Sequence, residues 1–184
     1  MSILKVSRMG HPVLRKKMKP LPPADIESAS IQNLIDNMTQ TMLEYNGVGL
    51  AAPQVHEDLR LFVALVVTDH DEEDDDQAAE PEPPQVLAVI NPEVTPLNRA
   101  VEEDWEGCLS IPDIRGLVPR ARDIRLRGYD RNGERLELDA SGFMARVIQH
   151  ETDHLDGILF LDRMKSFNSL SFIDEYARYH ARRE

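Results

Sequence analysis

The sequence predicts an α+β fold: mixed, mostly antiparallel β-sheets packed around one central helix, with a further helix at the C-terminus. Three observations predict it. Between residues 59 and 138 short β-branched and alternating runs follow one another, separated by turn residues. From Ser141 to Gly157 the period changes to that of a helix, with Ser141 as N-cap and Gly157 as the stop. A polar segment from about Asn168 to the end reads as the last helix.

The N-terminal segment is broken by His11-Pro12 and by Pro20, Pro22 and Pro23, with Val13 and Leu14 tucked toward the core. Asp25 caps a helix whose apolar face is Ile31, Leu34, Ile35, Met38, Met42 and Tyr45, and Asn46-Gly47 closes it. The stretch Gly47 to Gln54 is small and apolar, suited to close backbone approach or to a tight helix-to-sheet connection. Leu59 to Val67 reads as a buried strand, Val86 to Ile90 as another ended by Asn91-Pro92, and Arg99 to Trp105 as a third. Ile114 to Val118 and Asp123 to Tyr129 alternate as strands. Asn132-Gly133 predicts a two-residue hairpin turn into Leu136 and Leu138. Ile158 to Phe160 reads as a short apolar strand.

The 184 residues are enough for one domain with a proper core, and residues 1–184 are read as a single domain. No apolar run approaches the ~20 residues of a membrane span, and the N-terminus lacks the pattern of a secretory signal. The one cysteine, Cys108, allows no internal disulfide. A cytoplasmic protein with no membrane partner is the expectation. The net charge of −12 argues against DNA binding. Nine of the acids fall between Asp69 and Glu82, leaving only −3 for the rest. Residues 69–84 are therefore expected to form a mobile acidic surface insert, since like charges repel and nothing there can be buried.

Within the central helix, His150-Glu151-Thr152-Asp153-His154 carries the chemistry. His150 and His154, four apart, stack on one helix face and can grip one divalent metal. Glu151 is placed to act as base toward water activated by that metal. A catalytic metal normally takes three protein ligands. The histidine that a metzincin protease would place six residues past the second is here Phe160. His11, His56, His70 and His180 lie in segments without a supporting motif. Asp162, Asp174 and Glu175 could imitate a glutamate-ligand protease. A non-catalytic metal-stabilised binding protein is a further alternative. Cys108, in Glu106-Gly107-Cys108-Leu109-Ser110, is the stronger third ligand.

Three segments, Gly47 to Gln54, Glu106 to Ser110 and Gln149 to His154, together resemble the three signature motifs of the peptide deformylases. Those bacterial enzymes remove the formyl group from N-formylmethionine at the start of nascent chains. The resemblance implies an α+β fold and a metal held by Cys108, His150 and His154. It implies Glu151 as general base and then acid, with Gln54 and the backbone N–H of Leu109 holding the oxyanion. Gly49 and Arg115 would seat the substrate chain, and Val48, Ile111, Phe143 and Val147 are expected to shape the methionine pocket. Fe²⁺ is the implied cofactor, with Zn²⁺, Ni²⁺ or Co²⁺ able to substitute. N-formylmethionyl nascent peptides are the implied partners. The ribosome is a further one, through Arg178, Arg182 and Arg183, although those arginines also simply suit a helix C-terminus. The departure from the family pattern is the acidic insert.

Overall fold

The computed structural model describes residues 2–66 and 84–181. The acidic insert, His70, Arg182 and Arg183 lie outside these, apart from Pro84 at the insert's end. Helix α1 (Ala29–Glu44) forms because Ile31, Ile35, Met38 and Met42 recur on one face, and all four are buried. Asn46, at φ 52°, turns the chain out of the helix while the Gly47 N–H bonds Met42 O at 2.8 Å, the αL closure that Asn46-Gly47 predicts. Asp25 does not cap it. Pro22 and Pro23 hold residues 23–25 in a separate 3₁₀ turn, and Ser28 takes the N-cap position.

Strand β1 (Gly49–Ala51) leads through a 3₁₀ turn (Ala52–Val55) to β2 (Leu61–Leu65), then to β3 (Val86–Pro96). Strands β4 (Val101–Cys108), β5 (Ile111–Ala121), β6 (Asp123–Tyr129) and β7 (Arg135–Ser141) follow, and β7 runs directly into helix α2 (Gly142–Leu155). Helix α3 (Phe160–Arg163), the two-residue β8 (Ser171–Phe172) and helix α4 (Ile173–Tyr179) complete the described chain. One sheet has the order β1-β2-β3-β6-β7 and the other β4-β5-β8, with all pairs antiparallel.

Period-two alternation in β2 explains why its sequence is apolar throughout. Leu61 and Val63 pack with Ile35, Met38 and Met42 of α1 on one face of the sheet. Phe62 and Ala64 pack with Ala145, Ile148 and Leu155 of α2 on the other. A strand covered on both faces has no polar side to show. The smaller sheet closes a third cluster in which Ile111 and Val118 meet Leu14, Leu159 and Phe160. Helix α2 is thereby held between the two sheets.

Four further readings differ from the sequence expectation. β3 does not stop at Asn91-Pro92. The register shifts between Ile90 and Glu93, and Asn91 at φ 52° bonds the Leu21 backbone with its side-chain amide, so the strand bends and continues. The β6–β7 ladder ends at Tyr129 opposite Arg135, so its loop has five residues, organised by the Asp130 carboxylate accepting from the Asn132 and Glu134 N–H groups. Leu159 and Phe160 are buried but begin helix α3, because a three-residue apolar run has no period to separate strand from helix. The last helix starts at Ile173, since Ser171 and Phe172 first pair with Arg115 and Ile114 of β5.

Candidate active site

Helix α2 presents His150, Glu151 and His154 to the interior between the sheets. Its end is set by Gly157 (φ 74°), whose absent Cβ would lie 2.8 Å from the Arg15 carbonyl carbon. The His150 and His154 rings sit 4.9 Å apart, as four-residue spacing on one face requires. Cys108 arrives from the end of β4, just before the two-residue turn Leu109-Ser110 that returns the chain into β5. Its Sγ is 3.3 Å from His154 Nε2, and one ligating atom from each of Cys108, His150 and His154 falls within a 4.8 Å set. The rival ligands are elsewhere. His11 packs against His56, His180 against Trp105, and Asp162 pairs with Arg15.

Sequence reasoning missed the polar frame behind these candidate ligands. Glu106 is buried and accepts from His150 Nδ1 at 2.9 Å, which leaves His150 Nε2 for a metal. The same carboxylate accepts from Arg120 at 2.9 and 3.0 Å and from Arg146 at 2.8 Å. Arg120 also bonds Asp153, which Arg163 holds from the other side at 2.7 Å. Burial alone would raise the Glu106 pKa, but the bonds from His150 and Arg120 outweigh it and keep the carboxyl well below its usual range. Burial opposes the charged form of His150, yet Cys108 and Glu106 beside it push its pKa well above the ordinary value. His154 moves well below, through burial and then the neighbouring charge of His150.

Glu151 is 4% exposed, and its Oε2 and the His154 Nδ1 are buried without a partner among the described residues. Burial raises the Glu151 pKa to about 7, against the lowering pull of His150. The carboxylate fits only because residue 49 is glycine: a Cβ there would stand 2.8 and 2.9 Å from Glu151 Cδ and Cγ. Gln54, also buried, has its amide orientation fixed, because Oε1 accepts from the Ala51 N–H at 2.8 Å. Its Nε2 therefore faces Ser110 Oγ at 3.2 Å and Cys108 Sγ at 3.6 Å.

A cleft of about 850 Å³ opens onto this group. Its wall includes Gly49, Gln54, Cys108, Leu109, His150 and Glu151, together with Val48, Ile111, Arg115, Phe143 and Val147. Every sequence-predicted site residue except His154 lines it, and His154 sits just behind, 1% exposed. The donor set of one thiolate and two imidazoles, with an orphaned carboxylate oxygen beside it, fits a divalent transition metal.

The model of the polypeptide deformylase family matches residues 3–169, which include all three motif segments. The chain belongs to the polypeptide deformylase family. Deformylases are metal-dependent hydrolases that act on formylated nascent peptides. A peptide deformylase of Salinibacter ruber is 46% identical over 165 residues, 90% of this chain and 82% of that one. Peptide deformylase 2 of Pseudomonas syringae pv. tomato is 41% identical over 94% of this chain and 93% of its own. Among solved structures, a class I type b deformylase of Acinetobacter baumannii with Met-ala-ser bound shares 36% identity at a TM-score of 0.76, covering 88% of this chain and 98% of that one. The Thermotoga maritima deformylase shares 36% at 0.75, covering 89% and 99%. These likenesses bear out the α+β fold expected from sequence. Helix α4 lies beyond the deformylase family match, yet its Ile173 reaches the cleft wall.

Proposed function

We propose that Cys108, His150 and His154 hold the metal of this deformylase, and that Glu151 moves the protons of the reaction. The observation that carries this reading is the convergence of the three ligand atoms beside a buried glutamate on the floor of one cleft. A divalent ion held there would bring the pKa of water to about 7 and so supply a nucleophile near neutral pH. Glu151 takes the proton as water adds to the formyl carbon. It then delivers that proton to the amine nitrogen as the carbon–nitrogen bond breaks, giving formate and a free N-terminal methionine. Gln54 Nε2 and the Leu109 N–H donate to the oxygen that gains charge, each worth on the order of 3 kcal/mol. The pre-set orientation of the Gln54 amide supports that role.

Gly49 and Arg115 seat the peptide, while Val48, Ile111, Phe143 and Val147 enclose the methionine side chain. Their common place on the cleft wall supports the assignment, as does the relative holding Met-ala-ser, the peptide left when formyl-Met-Ala-Ser loses its formyl group. Fe²⁺ is the proposed ion, in keeping with a mixed thiolate and imidazole set that also suits Zn²⁺, Ni²⁺ or Co²⁺. Residues 1–184 act as one catalytic domain in the bacterial cytoplasm, on nascent chains at the ribosome. The bacterial relatives support this setting, and no helix among the described residues is long and apolar enough to cross a membrane. Formate release from formyl-Met-Ala-Ser by Fe²⁺-loaded protein, kept anaerobic, tests the reading against Glu151→Ala. The wild type is expected to turn over, with the variant lower by about 10²- to 10⁴-fold. A fully metallated wild type that releases no formate would overturn it.

A further inference from the structure

The cleft wall carries cations that take no part in the chemical step. Lys5, Arg8 and Arg115 line it, and among the described residues none of the three makes an ion pair. Arg146 lines it too, but its charge is answered by Glu106 at 2.8 Å. The acids on the wall are that same Glu106, Glu151 on the floor, and Asp113. In a chain of net charge −12 this local sign runs against the whole.

The three cations stand on anchored backbone. The Ser7 N–H bonds Gln54 O at 2.7 Å, Ser7 Oγ bonds Pro53 O at 3.2 Å, and the Met9 N–H bonds Ser110 O at 2.8 Å. Ser7 is buried against these walls, while Arg8 and Lys5 are exposed. Arg115 stands opposite Gly107 in the β4–β5 ladder, one residue from Cys108. The Tyr176 ring lies 5.3 Å from its guanidinium and is itself packed edge-on to Trp105 at 4.8 Å. The cations are thus held in place along the cleft and left open to whatever enters.

A formylated N-terminus is uncharged, so these groups have no charge to answer at the reacting end of the peptide. The charge they fit belongs further along the substrate. We propose that the cleft favours formyl peptides bearing an acidic side chain downstream of the methionine, read by Lys5, Arg8 and Arg115. This rests on the deformylase reading of the site.

The test is kcat/KM for formate release by the Fe²⁺-loaded full chain. The substrates are C-terminally amidated formyl-methionyl tetrapeptides with Glu, Gln or Lys at the second, third or fourth position. Expected is a Glu:Gln ratio of about threefold or more at one position at least, carried by KM, with Lys below Gln there. The ratio is expected to fall toward one as salt rises from about 0.02 to about 0.5 M. It is also expected to fall toward one in the double variant Lys5→Gln/Arg8→Gln, and to persist in Lys5→Arg/Arg8→Lys. Glu no better than Gln at all three positions, or a ratio indifferent to salt and to the charge-removing variant, would overturn the proposal. Should the double variant fail to fold, the salt series on the wild type decides alone. Formate release from none of the peptides would instead overturn the reading beneath it.

Discussion

The floor of the cleft and its rim are both rich in charge, yet they are built in opposite ways. On the floor, Glu106 meets His150, Arg120 and Arg146, and Arg120 passes the chain of bonds on to Asp153 and Arg163. At the rim, Lys5, Arg8 and Arg115 make no ion pair among the described residues. Water accounts for the difference. A charge taken out of water must be paired and hydrogen-bonded or it costs several kcal/mol, so the floor is locked into one arrangement. A charge at the rim is solvated, and its side chain remains available to a substrate. Chemistry that needs fixed geometry sits where burial enforces it, and selection among substrates sits where it does not.

The sharpest way to break this contrast is Glu106→Ala, which leaves the buried Arg146 without a carboxylate and the buried Arg120 with Asp153 alone. A loss of about 3–5 kcal/mol is expected in denaturant unfolding. Metal affinity in a chelator competition should fall about 10- to 100-fold, since His150 loses the group that orients it. A variant as stable as the wild type would mean that the floor is not locked by this carboxylate.

Glu106 also shows where sequence reading stops. It was visible two residues before Cys108, at the edge of a motif segment, but a carboxylate in such a place is most often solvated. Its role exists only once β5 brings Arg120, and α2 brings His150, to the same place. Helix α2 was legible because its apolar spacing, its histidines and the terminal Gly157 all speak within one stretch of chain. Phe160 was not, because three apolar residues fit a buried strand and a buried helix equally well. At Asn91-Pro92 a local stop signal was overridden by a distant partner, the Leu21 backbone. The motif residues were recognisable by type and order, while the cleft's cations carried no motif and needed the fold to bring them together.

Gly49→Ala sharpens the contrast from the floor side with a smaller effect. The added methyl presses on Glu151, so kcat for formyl-Met-Ala-Ser is expected to fall about a hundredfold with the denaturant midpoint little changed. Wild-type kcat in that variant would show that the position of Glu151 tolerates movement.

The smallest effect belongs to an exposed pair away from the cleft. Burial nudges the Asp162 carboxyl upward, but the Arg15 guanidinium and the Leu159 N–H outweigh it and hold its pKa below the ordinary 3.8. A depressed carboxylate stabilises the fold above its unfolded pKa and loses that contribution as pH falls below it. Asp162→Asn should therefore cost less than about 1 kcal/mol at pH 7, with the gap to wild type closing below about pH 3.8. Urea titrations of both proteins at pH 7 and pH 3 would read this, and a gap that widens in acid would reverse the sign.

The bonds from Ser7 to Pro53 and from Gln54 to Ser110 join positions 46 and 56 apart, and Cys108 meets His154 across another 46. During synthesis the segment around Ser7 has nowhere to dock until Gln54 has emerged, and Met9 must wait for Ser110. The proposed ligand set waits longer still, for His154. The segment around Ser7 is thus made before its partners and secured late, and on the proposed ligand set no partial chain short of α2 carries the activity.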